Sequence, residues 1–181
     1  MFTSRELSGG GPMMDIGVHV LDQAMFLIGN PKPATVLGMT YLKIANHPGS
    51  NTFGPYDPTK METEDFGTGL VRFTDGSSLL LEASWALNVE KSTHNVQIAG
   101  TLGGADCYPL KLFKDQHGVL TDMSAIEPRR PDSTQDDKIA HFVQCILEDR
   151  APLVTPDEIL NVAVILDAVY RSSELGRAVD V

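Results

Sequence analysis

The feature that most constrains this chain is a pair of β-prone runs, Asp65–Phe73 and Ser78–Leu87, joined by Thr74-Asp75-Gly76-Ser77. Asp-Gly at the centre of so short a connection supplies the backbone angles a hairpin needs, so the two runs pair antiparallel. Within the second run, Leu79, Leu81, Ala83 and Trp85 share one face by the period of two, and Ser78, Leu80, Glu82 and Ser84 share the other. Apolar side chains fall on both faces, which predicts a strand covered on both sides. Helices of the same chain can cover one face. An apolar patch left in water on the other would favour aggregation, so a homodimer or higher homo-oligomer through that sheet face is expected.

The rest of the chain fits around this hairpin. Gly9-Gly10-Gly11-Pro12 announces a first helix, striped by Met14, Val18, Leu21 and Met25 and stopped at Gly29 with Pro31 beyond. Ala34–Ile44 reads as a strand, and 46–60 as a long loop whose Phe53 and Tyr56 could close over a ligand or reach a neighbour. His94–Ala99 is a further strand, closed by the turn Gly100-Thr101-Leu102-Gly103-Gly104. Ala105–Tyr108 and Leu110–Lys114 are two more.

The last third is helical. Ile139, Phe142, Val143, Ile146 and Leu147 stripe a helix beginning near Asp132 or Ser133. The capping box Thr155-Pro156-Asp157-Glu158 opens another, running through Ile159, Val162, Leu166, Val169 and Tyr170 to Gly176, before a short strand at 178–181. Strands in one block and helices in another predict an α+β fold: a mostly antiparallel open sheet with helices packed on one face.

Composition narrows the function. The 181 residues suit one domain, and a net charge of −10 argues against nonspecific nucleic-acid binding and against docking on anionic membranes. Cys107 and Cys145 have no metal-ligand spacing and read as small reduced thiols. No apolar run reaches the ~18 residues of a membrane helix. Residues 1–11 lack the apolar core of a signal peptide, so a cytoplasmic protein is expected.

One line of residues carries possible chemistry. Asp15, His19 and Asp22 stand at i, i+4 and i+7, on one side of the first helix. Asp15 falls in the first turn, where the helix dipole favours a negative charge. A carboxylate one turn from an imidazole can orient the ring and support its protonated form, as a general base requires. Three readings remain open on spacing alone: acid–base catalysis, a structural cap with a hydrogen-bonded histidine, and an incomplete metal site. The glycines at 9–11 lack a preceding strand and the spacing of a dinucleotide fingerprint, so they read as close-packing positions. His47, His94, His117 and His141 are scattered and read as ordinary surface or strand histidines.

The run Gly9-Gly10-Gly11-Pro12-Met13-Met14-Asp15-Ile16-Gly17-Val18-His19-Val20-Leu21-Asp22 resembles the second domain of the Gfo/Idh/MocA oxidoreductases. The likeness continues through Glu64-Asp65-Phe66 with Gly69-Leu70-Val71-Arg72-Phe73, then Ile98–Gly103 and Ile165–Arg177. It implies an α+β substrate domain that works beside an N-terminal Rossmann domain carrying NAD or NADP. On that reading residues 1–181 are the substrate-binding and oligomerisation domain alone, inactive by itself and binding no cofactor.

The resemblance further implies that His19 takes a hydroxyl proton from a sugar, polyol or related small molecule as hydride leaves for the nicotinamide. Asp15 orients His19 and a substrate hydroxyl, and Asp22 adds to the substrate site. A lysine from the Rossmann half completes the site and has no counterpart here. The alternative is a stand-alone, noncatalytic dimer module of the same fold that binds a small carbohydrate-like ligand.

Overall fold

The structure is a computed structural model that describes residues 2–49, 56–124 and 134–181. The chain divides into two compact units, Met1–Lys91 with Asp157–Val181, and Ser92–Pro156. The predicted helix start near Asp132 or Ser133, and Phe53 of the long loop, lie outside the described residues.

The first unit holds α1 (Arg5–Ser8), a π-helical turn (Met13–Gly17) running into α2 (Val18–Leu27), and β1 (Pro33–Tyr41). A 3₁₀ turn follows at Pro58–Lys60, then β2 (Phe66–Phe73), β3 (Ser78–Ser84), α4 (Pro156–Leu175) and β8 (Val179–Asp180). Its sheet has the order β3-β2-β1-β8, antiparallel throughout. The expected hairpin is β2–β3, with Arg72 opposite Ser78 and Gly76 at positive φ in its turn.

One face of this sheet is core. Val36, Val71, Phe73, Leu81 and Ala83 are buried there with Met13, Leu21 and Met25 from the first helix and Ile165, Leu166 and Val169 from α4. Ser172 ties α4 to the sheet by accepting from Gly38 N at 2.8 Å and donating to the Arg177 carbonyl at 2.7 Å. The other face is open. Leu37, Leu70 and Leu80 lie directly opposite one another across three strands, exposed by 42, 49 and 68%. Beside them Tyr41 stacks on Phe66 at 5.9 Å.

The second unit holds β4 (Gln97–Gly100), β5 (Gly103–Cys107), β6 (Leu110–Gln116), β7 (Val119–Ser124) and α3 (Thr134–Leu147). The four strands form a separate antiparallel meander, β4-β5-β6-β7. The α+β class and antiparallel pairing are as expected, but the strands divide between two sheets where a single sheet was predicted. The strand β7 was not anticipated. Its side chains are nearly all exposed, so it carries no burial periodicity to read.

The first helix also differs from its predicted stripe. Met13, not Met14, is buried, and Met14 is 41% exposed. A π turn inserts one residue into the helical repeat and rotates everything before it. The buried line becomes Met13, Gly17, Leu21 and Met25.

Candidate functional site

Two adjacent acids at the foot of β2 organise the region around the first helix. Glu64 is 8% exposed, and its carboxylate accepts from the backbone N–H of Gly11 through both oxygens at 2.9 Å. Its Oε1 also accepts from Met13 N at 3.2 Å and from the Tyr170 hydroxyl at 2.7 Å. The open N–H groups of a helix start need acceptors, and a buried carboxylate needs donors. Here each satisfies the other. A side chain at residue 11 would strike the Glu64 carbonyl, so only glycine allows this approach.

Asp65, 1% exposed, does the same for the chain leaving β1. Its Oδ2 accepts from the N–H groups of Lys43, Ile44 and Ala45 at 2.9, 2.6 and 2.8 Å. The Asp65 carbonyl takes the Trp85 backbone N–H at 3.0 Å and the Ser84 hydroxyl at 2.7 Å, fixing the end of β3. Glu64 thus sets the helix start and Asp65 sets Trp85. The two meet at Asp15, whose Oδ2 accepts from the indole Nε1 of Trp85 at 3.0 Å. Gly17 permits the approach: a Cβ there would sit 3.1 Å from the Ala83 Cβ on β3.

Asp15 is therefore half-buried and anchored within the π turn, and His19 and Asp22 are exposed on α2. The helix is buried on one side only, and the apolar Ile16, Phe26 and Leu27 are exposed as well. Of the three, only Asp15 is partly withdrawn from water and so needs a partner for its charge. A cleft of about 230 Å³ opens nearby, lined by Arg5, Glu62, Thr63, Glu64, Tyr170 and Glu174 among others, and none of Asp15, His19 and Asp22 lines it. Burial pushes the Tyr170 phenol well above its ordinary range, and the Glu64 carboxylate it donates to raises it further.

Glu64, Asp65, Trp85 and Tyr170 were not singled out as site residues in the sequence. A signal existed: two acids directly before a buried strand must be paired, whatever pairs them. Two of the scattered histidines have partners for their rings. His141 Nε2 accepts from Leu153 N at 3.0 Å, and the His94 ring packs on Tyr108. Tyr56 of the long loop donates to the His47 carbonyl at 3.0 Å. Both cysteines are free, and among the described residues no group of His, Cys, Asp and Glu could hold a metal ion.

The glycine turn does not fit a nicotinamide dinucleotide. A pyrophosphate needs free N–H groups at a turn between strand and helix. Here the turn follows the helix α1, and the Gly11 and Met13 N–H groups already face a carboxylate. Among the described residues no helix is long and apolar enough to cross a membrane.

Known proteins resemble this chain in sequence and in fold. The D-glucoside 3-dehydrogenase of Escherichia coli (strain K12) is 32% identical over 181 residues, 99% of this chain and 51% of that protein. The aldose-aldose oxidoreductase from Caulobacter crescentus, crystallised with glycerol, has a TM-score of 0.75 at 24% identity over 99% of this chain and 50% of its own. A levoglucosan dehydrogenase in complex with NADH and levoglucosan has a TM-score of 0.75 at 22% identity, over 99% of this chain and 52% of its own. The two structures speak for the fold alone. The chain spans about half the length of these relatives. Residues 1–106 match the profile of the GFO/IDH/MocA C-terminal domain. That stretch is more than half of the sequence and contains the glycine turn, the π turn and the hairpin, so the chain belongs to the GFO/IDH/MocA C-terminal domain family.

Proposed function

We propose that this chain is the substrate-binding and oligomerisation half of an NAD(P)-dependent oxidoreductase acting on a sugar, polyol or related compound. The observation that carries this reading is the anchored carboxylate of Asp15, with the imidazole of His19 exposed on the next turn. A fixed carboxylate and an accessible imidazole can accept hydrogen bonds from two hydroxyls of a polyol. The D-glucosides and levoglucosan named for the relatives are polyols of this kind.

In this reading His19 is the proton acceptor for the hydroxyl undergoing oxidation. Asp15 orients a neighbouring hydroxyl, and Asp22 extends the polar rim. NAD or NADP belongs to a nucleotide-binding half of the kind that doubles the relatives' length, because the glycine turn here does not accommodate it. Homo-oligomerisation through the open sheet face is part of the same proposal, supported by the Leu37–Leu70–Leu80 row. That row is equally what the noncatalytic dimer module would display, so activity must separate the two.

The test uses a protein that carries this chain together with a nucleotide-binding half. His19→Ala is expected to lower kcat by roughly 10²–10⁴, the usual contribution of a positioned acid–base group. Its melting temperature should stay near that of the parent, because the side chain is exposed. A folded His19→Ala protein with normal turnover would end the catalytic reading.

A further inference from the structure

We propose that Trp85 is the positioning residue of this site. Its indole N–H fixes Oδ2 of Asp15 and so presents Oδ1 to a substrate hydroxyl, while its half-exposed ring forms a wall for the apolar face of a sugar. This rests on the sugar-binding reading above and names the residue that orients the sugar.

The geometry supports each part. The indole N–H has one proton to donate, and it goes to Asp15 Oδ2 at 3.0 Å, across 70 positions of sequence. Among the described residues Oδ1 receives no hydrogen bond, and none of their buried side-chain polar atoms lacks a partner. The lone pairs of Oδ1 are therefore not committed to any described residue. One carboxylate oxygen is committed to the protein and the other is available.

The donor is itself held rigidly. The Trp85 backbone is tied to the buried Asp65, and the next residue, Ala86, donates to the Ser84 hydroxyl at 3.0 Å. A site supported in this way keeps its acceptor oriented before ligand arrives, which lowers the cost of binding. Indole joins a polar edge to a broad apolar face, and a pyranose presents the complementary pair: hydroxyls at its rim and C–H groups on its face.

The chain contains one tryptophan, so a ¹⁵N–¹H spectrum of the full chain shows a single indole resonance. Asp15→Ala is expected to move that resonance to the position of a water-exposed indole. Asp15→Asn retains an acceptor oxygen and should keep it close to the parent position. Titration with methyl β-D-glucoside should shift it saturably in the parent chain. Trp85→Phe keeps a ring and loses the donor, and should weaken glucoside binding roughly tenfold, as expected for one oriented hydrogen bond to a charged group.

An indole resonance unmoved by Asp15→Ala would overturn the proposal without needing any sugar. Parent-like glucoside affinity in Trp85→Phe would overturn the positioning role while leaving the sugar reading intact. No glucoside response in the parent, with the resonance still moved by Asp15→Ala, would overturn the sugar reading and this proposal with it, and leave only a structural tether. Should Trp85→Phe fail to fold by circular dichroism, the indole shift in Asp15→Ala and the glucoside titration of the parent chain together decide the matter.

Discussion

At the scale of single residues, the site depends on carboxylates that face inward to the backbone. Glu64 ends in a cluster with Gly11, Met13 and Tyr170, and this has a consequence at high pH. The Tyr170 phenol is raised above its ordinary value of 10.0, first by burial and then by Glu64. Above pH 10 the unfolded chain releases this proton while the folded chain retains it. The folded state then binds more protons, so stability falls as pH rises. The contribution is complete below pH 10 and is lost above it. Tyr170→Phe should flatten the decline of the melting temperature between pH 10 and 11.5 relative to the parent. Parallel curves for the two proteins would show that the phenol is not perturbed by folding.

At the scale of elements, the π turn and β3 are fitted to each other through Gly17. Replacing glycine by alanine in a helix interior normally contributes about 1 kcal/mol of stability. Here the new methyl would lie 3.1 Å from the Ala83 Cβ and 3.3 Å from the Pro12 carbonyl oxygen. Overpacking of that kind costs about 1–3 kcal/mol, which exceeds the propensity gain. Gly17→Ala is therefore expected to be destabilising on balance, and to alter the Trp85 emission because the helix must move away from the strand that leads to Asp15's partner. A more stable variant with unchanged emission would mean that the contact relaxes freely. Such a contact could not be anticipated from the helical pattern. Met14, Val18, Leu21 and Met25 form a sound α-helical stripe, and only the extra residue of the π turn puts Met13 in Met14's place.

At the scale of the whole molecule, the open face of the first sheet should find a partner. Burying the exposed halves of Leu37, Leu70 and Leu80 would contribute about 1 kcal/mol each. Light scattering at micromolar concentration is expected to show a dimer or larger assembly, and Leu70→Lys with Leu80→Glu should shift it to monomer. A parent chain that is already monomeric would remove the basis for this interface. The same scale governs cofactor binding. With its glycine-turn N–H groups committed to Glu64, the chain by itself should not bind NADH or NADPH, and saturable low-micromolar binding by calorimetry would contradict this.

Local sequence determined the pieces that local chemistry controls. Asp75-Gly76 dictates a hairpin because few residues tolerate its backbone angles. Thr155-Pro156-Asp157-Glu158 opens α4, and the alternation in Ser78–Ser84 separates a core face from an outer one. The family was legible for a similar reason: the Asp15–His19 motif and its glycines are contiguous.

Tertiary structure decided what depends on partners distant in sequence. Glu64 reaches Gly11 across 53 positions, Tyr170 reaches Glu64 across 106, and Trp85 reaches Asp15 across 70. No periodicity records such distances. An inward-facing carboxylate states only that donors must be supplied, and the path of the chain determines which N–H groups supply them.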